Sequence, residues 1–241
     1  HALWELTGRR ADVVIHEADA PMLRSRRAHV TEYLAGRGRY LRDPDGEAKQ
    51  AATAEAVISG ELEPTLLVRG GESLSLGGDV MVSVHSIPGH TPGSVAYVLD
   101  GQRDVFVGDA VQVHGAANRF PGYVDPDGYR ASLRYLRDVV RPEHLYLGHP
   151  YRTADGTPYG VELDRDSAHR ALSESLEIEA RVRSAAERGP REGLRDTDSA
   201  YSPFAAVAAE LGYQGDPTLE PSPFFTTLHG YRTVRRSEPH G

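Results

Sequence analysis

Three residues have the types and the setting to do chemistry together. They are His90 in Pro88-Gly89-His90-Thr91-Pro92-Gly93, Asp109 in Val107-Gly108-Asp109, and His149 in Leu147-Gly148-His149. Each follows a glycine at the end of a short apolar run, and they lie 19 and 40 residues apart. Those separations do not force them together; their shared position at strand ends carries the argument. A glycine lets the chain turn sharply at a sheet edge, and a side chain held by flanking strands is rigid enough to keep coordination geometry. Singly, a Gly-Asp pair is an ordinary turn or cap, and a loop histidine is ordinarily solvated. The hexapeptide around His90 differs, because two prolines and two glycines constrain nearly every backbone angle about one imidazole. Together the three favour a metal-holding site.

Composition narrows the alternatives. The chain has 241 residues, 27 basic against 35 acidic, and a formal net charge of −8. Its basic residues are scattered among carboxylates, which sets aside a general nucleic-acid binder, since phosphate neutralisation needs clustered Lys and Arg. With no cysteine there is no disulfide framework, thiolate nucleophile, iron–sulfur cluster or Cys-type zinc finger, so any metal must sit on His, Asp and Glu. Lys49 is the sole lysine, in a polar stretch that offers no apolar wall for Schiff-base work, and there is no P-loop. No apolar run approaches the roughly 18 to 20 residues of a membrane helix. The expectation is a soluble, cytoplasmic chain acting on a small molecule, with neither nucleic acid nor membrane as partner.

The elements that must position these residues are legible in the periodicity. Ala2 to Leu6 reads as the middle of an amphipathic helix, Val13 to His16 as a short buried strand, and Asp19 with Pro21 as the start of a second helix. Gly36 to Gly46 reads as loop, and an Ala-rich helical stretch runs to about Ser59. From Pro64 to Gly108, β-rich runs alternate with glycine pairs: Leu66–Val68, Ser73–Leu76, Val80–Val84, Ser94–Leu99 and Asp104–Val107, a series of hairpin-connected strands. Downstream, Asp125-Pro126 opens a helix with Tyr129, Leu133, Leu136 and Val140 on one stripe and Pro142 as its stop. Leu145–Leu147 is one more strand. Helices follow over Asp164–Gly189, Phe204–Leu211 and around Phe224, Leu228, Tyr231 and Val234.

In order, strand context and spacing, these motifs resemble the later motifs of the metallo-β-lactamase superfamily, from His1 to about Tyr151. The resemblance implies an αββα sandwich over residues 1–160, with its opening strands absent from this sequence, and a helical C-terminal extension over 161–241 packed on the same domain. It implies two zinc ions per complete chain, with iron as the alternative. His90 would ligate the first, the catalytic Asp109 would bridge them, and His149 would ligate the second. A metal-bound hydroxide would then attack an ester-like carbonyl without a covalent enzyme intermediate. That fits the absence of a Gly-x-Ser-x-Gly elbow.

The family's His-x-His-x-Asp-His motif is missing, for this sequence contains no His-x-His, and the resemblance puts that motif upstream of His1. His1 and His16 are then a helix start and a structural histidine. Substrate class rests on loops: Val111 to Tyr123 should pass the metal edge, where His114, Asn118, Arg119 and Tyr123 would orient a small acyl substrate. The compact loops favour thioesterase, lactonase or glyoxalase-II-like members. Gln112 stands where an acyl-homoserine lactonase would carry a tyrosine. Phe204, Phe224, Phe225 and Tyr231 would roof the pocket or, as is commoner at helical spacing, form core; the same helices offer a homodimer surface. The alternative is a non-catalytic binding scaffold of this fold with an incomplete metal site.

Overall fold

The computed structural model describes residues 5–31, 44–58, 60–116, 119–188, 199–216 and 222–237. His1, most of the expected first helix and most of the loop before residue 44 lie outside these. In chain order the elements are β1 (Val14–His16), α1 (Ala20–Arg24), α2 (Pro44–Val57), β2 (Leu66–Val68), β3 (Ser73–Gly77), β4 (Val80–Ser86), β5 (Val95–Leu99) and β6 (Asp104–Gly108). There follow α3 (Pro126–Tyr135), closed by a π-turn over Leu136–Val140, then β7 (His144–Leu147), β8 (Glu162–Asp164), α4 (Arg165–Arg188), α5 (Ala205–Leu211) and α6 (Pro223–Ser237).

Two sheets result. β1 and β2 pair in parallel, and β3 to β8 form a six-stranded sheet in sequence order. The hairpin series over β3 to β6 is antiparallel as its glycine-rich turns require, but β6 and β7 run parallel, with Val105 opposite Leu145. A parallel pair needs a crossover, and α3 supplies it. The short β8, which the sequence did not announce, closes the edge antiparallel to β7.

Alternation decides which face is buried. Ala96, Val105, Val107, Leu145, Leu147 and Leu163 turn to one side, where they join a core with the helices. On the other side Val82 and Val84 are buried, while Phe106 is 45% exposed and stacks on Tyr146 at 4.5 Å. Val80, in phase with Val82 and Val84, is exposed at the strand start.

α3 forms where its signals say it should. Asp125 accepts from the backbone N–H of Asp127 and Gly128, and Pro126 starts the helix with φ already set. Tyr129, Leu133 and Leu136 are fully buried against the sheet. The helix widens into the π-turn and stops at Arg141 in the left-handed region, φ 53°, one residue before Pro142. α4 buries Ala168, Ala171, Leu172, Ser175, Ile178, Glu179, Val182 and Ala185, and its core is continuous with that of the sheet. The aromatic residues of the tail belong to this interior: Phe204, Phe224, Phe225 and Tyr231 are all 5% exposed or less. That matches the commoner reading of such residues as core and corrects the alternative of a pocket roof.

A buried ion pair locks the tail in place. Glu179 is fully buried and accepts from Arg183 Nε at 2.7 Å and from the Tyr231 hydroxyl at 3.0 Å, with Arg130 Nη1 3.7 Å away. Burial and the neighbouring carboxylate push the Tyr231 hydroxyl up, so it stays protonated and donates. Because Leu133 sits in the common core with no exposed surface, Leu133→Ala is expected to lower stability by about 3 kcal/mol in urea unfolding. A loss under about 1 kcal/mol would mean that this position of α3 is not tightly packed.

Candidate functional site

The parallel ends of β6 and β7 meet directly: Gly148 N–H donates to the Gly108 carbonyl at 2.7 Å. The next residues on the two strands, Asp109 and His149, therefore emerge side by side. A side chain at 148 is impossible without displacement, since a Cβ there would lie 2.3 Å from Asp109 Oδ1 and 2.9 Å from the Gly108 carbonyl carbon. The carboxylate thus packs against bare backbone, and His149 Nε2 lies 3.4 Å from Asp109 Oδ1. The same oxygen accepts the Tyr151 hydroxyl at 2.7 Å. Tyr151 is buried, and sequence reasoning misses it, although it stands two residues after His149.

His90 arrives from the end of β4 through its constrained loop. Gly89 has φ 147°, and a Cβ there would sit 2.4 Å from the Tyr129 Cα, so the loop presses on α3 where only glycine fits. The Gly89 carbonyl accepts from the N–H groups of Val124 and Asp125, and Ser132 Oγ donates to the Pro88 carbonyl. From the other side Asp19 braces the loop, accepting Thr91 Oγ1 at 2.5 Å and Gly93 N–H at 2.9 Å. Asp19 reads in the sequence as a helix start and does precede α1, but its carboxylate caps no helix N–H. His90 Nε2 ends 4.0 Å from Asp109 Oδ2, so the carboxylate lies between the two imidazoles with one oxygen toward each.

The ring of His90 is held at Nδ1 from two sides. Its Nδ1 lies 2.7 Å from the Gly122 carbonyl and 2.8 Å from Gln112 Nε2. Gln112 cannot be turned over, because its Oε1 accepts Gly122 N–H at 2.6 Å and its Nε2 donates to the Asp109 carbonyl at 3.0 Å. The Gly122 carbonyl can only accept and the Gln112 amide nitrogen can only donate, so the two neighbours of Nδ1 favour opposite tautomers of the ring. In either, Nε2 faces Asp109. Gln112 is buried, and its amide has partners at both ends.

The other sequence candidates divide. Tyr123 is fully buried, stacked on Tyr129 at 4.2 Å with its hydroxyl 2.8 Å from that of Tyr231; it is core and cannot orient a substrate, which corrects that expectation. An aromatic ring with one polar atom serves either role, and burial here decides. His114 Nε2 is engaged by Glu174 at 2.9 Å, the carboxylate that also takes the Tyr159 hydroxyl, itself pushed up to about 12 by burial and that bond. Arg119 is exposed, its guanidinium against Gly156 of the loop after His149. Asn118 lies outside the described residues. His16 is structural as expected, accepting Ala18 N–H on Nδ1 and facing the Arg69 carbonyl with Nε2.

Zinc takes imidazole nitrogen and carboxylate oxygen at about 2.0–2.2 Å, which in a tetrahedron puts neighbouring donors about 3.3 Å apart. The His149–Asp109 pair matches that spacing and the His90–Asp109 pair is slightly wider, so each imidazole can share an ion with one carboxylate oxygen. Among the described residues no group of three or more His, Cys, Asp or Glu surrounds a single point. The three alone would leave any ion short of zinc's usual four donors.

Comparison with known proteins bears on this arrangement. A family model described as the metallo-beta-lactamase superfamily matches residues 3–149. A hydroxyacylglutathione hydrolase of Hyphomonas neptunium is 33% identical over 107 residues, 44% of this chain and 40% of that protein. One of Brucella ovis is 32% identical over 155 residues, 62% and 58% respectively, so the chain spans about half the length of these relatives. A metallo-beta-lactamase family protein of Thermus thermophilus superposes with a TM-score of 0.58 at 18% identity, over 96% of this chain and 69% of that one.

Since Gly148 is where the two strand ends touch, Gly148→Ala is expected to cost about 1–3 kcal/mol in urea unfolding by overpacking and to break the Tyr151–Asp109 hydrogen bond. An unchanged midpoint would show that Asp109 does not pack against this junction.

Proposed function

The chain belongs to the metallo-beta-lactamase superfamily and has its αββα sandwich fold, and from that premise we propose that it hydrolyses an ester-like carbonyl at a zinc centre shared by His90, Asp109 and His149. One observation carries the reading: a single carboxylate lies between two imidazoles whose Nε2 atoms both face it. Bound there, zinc would supply Lewis acidity toward the carbonyl and activate water, with iron as the alternative occupant.

The protein's own groups have distinct tasks. His90 offers Nε2 toward one oxygen of Asp109, and His149 offers Nε2 toward the other. Asp109 is kept from rotating by Tyr151, which donates to Oδ1, and by the bare backbone at Gly148. Gln112 ties the Asp109 carbonyl to the Gly122 N–H, so the loop after β6 moves with the carboxylate. A thioester is the preferred substrate class, ahead of a lactone or simple ester, because the similar curated proteins are named for hydrolysis of a hydroxyacyl–glutathione. Arg119 and Asn118 remain the candidates for orienting that small acyl substrate.

The competing reading is a binding scaffold of this fold without catalysis. It is favoured by the finding that, among the described residues, no group of three or more such donors surrounds a single point. Elemental analysis of protein purified from its complete reading frame separates the two. We expect about two zinc ions per chain and hydrolysis of a hydroxyacyl thioester, with Asp109→Ala retaining the fold and losing at least about a hundredfold in kcat/KM. Folded protein with no zinc, or a variant that hydrolyses as well as the parent, would hand the case to the scaffold.

A further inference from the structure

Thr227 stands on α6, far outside the stretch that matches the family, yet its hydroxyl grips the loop that sets His90. It is fully buried. Oγ1 donates to the Pro121 carbonyl at 2.8 Å and accepts Tyr123 N–H at 3.0 Å. These atoms belong to the two peptide groups on either side of the Gly122 Cα.

In a planar trans peptide the C=O and N–H point to opposite edges. Holding the Pro121 carbonyl toward Thr227 therefore turns the Gly122 N–H of the same peptide away from it, and that N–H meets Gln112 Oε1. Holding the Tyr123 N–H toward Thr227 turns the Gly122 carbonyl away in the same fashion, and that carbonyl lies 2.7 Å from His90 Nδ1, where it can accept a proton held there. One hydroxyl thus fixes both peptide planes by one edge and presents their other edges to His90 and to the amide beside it. Gly122 permits the approach: a Cβ there would lie 3.2 Å from Pro223 Cβ at the start of α6. One turn along the helix, Tyr231 is held by Glu179, so α6 stays docked independently of Thr227.

We propose that Thr227 is a positioning residue that selects the Nδ1–H tautomer of His90 and so makes Nε2 the donor offered at the centre. Its relevance to catalysis rests on the function proposed above, but the tautomer itself is readable without metal. The test is a long-range 1H–15N correlation spectrum of His90 in the full-length protein stripped by a chelator, recorded where the imidazole is neutral. The unmodified protein should show Nδ1 protonated and Nε2 bare. In Thr227→Val the single form should give way to a mixture, and Thr227→Ser, which keeps the hydroxyl, should restore it. Zinc affinity by chelator competition should fall about 10- to 100-fold in the valine variant and recover with serine.

An Nε2–H form in the unmodified protein overturns the proposal without any variant, as does a folded Thr227→Val protein with the parent's spectrum and zinc affinity. If valine does not fold, Thr227→Ala is read by the same spectrum, and a retained single Nδ1–H form there likewise overturns it. A protein that shows the expected tautomer behaviour but neither binds zinc nor hydrolyses thioesters refutes the proposed function and leaves the role of Thr227 standing.

Discussion

The arrangement depends first on one parallel pairing. In the six-stranded sheet every neighbouring pair is antiparallel except β6 and β7, and only parallel strands deliver two C-terminal ends to the same edge. The Gly148–Gly108 hydrogen bond closes that edge so tightly that Asp109 and His149 have no choice but to lie together. The crossover that parallel strands require then becomes α3, and α3 in turn presents Tyr129 to Gly89 and Ser132 to Pro88, which seats the His90 loop. Sheet topology, crossover helix and candidate site are consequences of one backbone contact.

Beneath the three side chains the polar groups form a connected set. A buried amide or hydroxyl without a partner costs free energy comparable to a lost hydrogen bond, and Gln112, Gly122, Tyr151 and Thr227 all find partners among one another and the site. Several of these bonds are backbone to side chain. They fix planes more firmly than side-chain pairs do, because peptide groups have little freedom to answer with.

What the sequence disclosed follows the range of the interaction that encodes it. The strands other than β8, with α3 and α4, rest on periodicity and capping within a dozen residues, and the structure has them within a residue or two. The His90 hexapeptide was legible because its constraint is local. Asp109 and His149 were legible only as strand ends, since nothing in the 40 residues between them says that β6 and β7 pair in parallel. The bonding roles of Asp19, Gln112, Tyr151 and Thr227 went unread because their partners lie far along the chain or belong to backbone, whose polarity no side-chain pattern shows. Tyr123 was misassigned for a related reason: position in a loop beside the site suggested exposure, whereas α6, more than a hundred residues later, covers it.

The insertion of α6 has a consequence in time. The chain is made from its N-terminus, so His90, Asp109 and His149 have all emerged long before residue 227 exists. Until α6 docks, the Glu179 carboxylate lacks Tyr231 and the Pro121–Tyr123 segment lacks its grip. The nascent chain therefore holds its three site residues beside a segment not yet gripped, and that edge of the sheet matures only once α6 has left the ribosome.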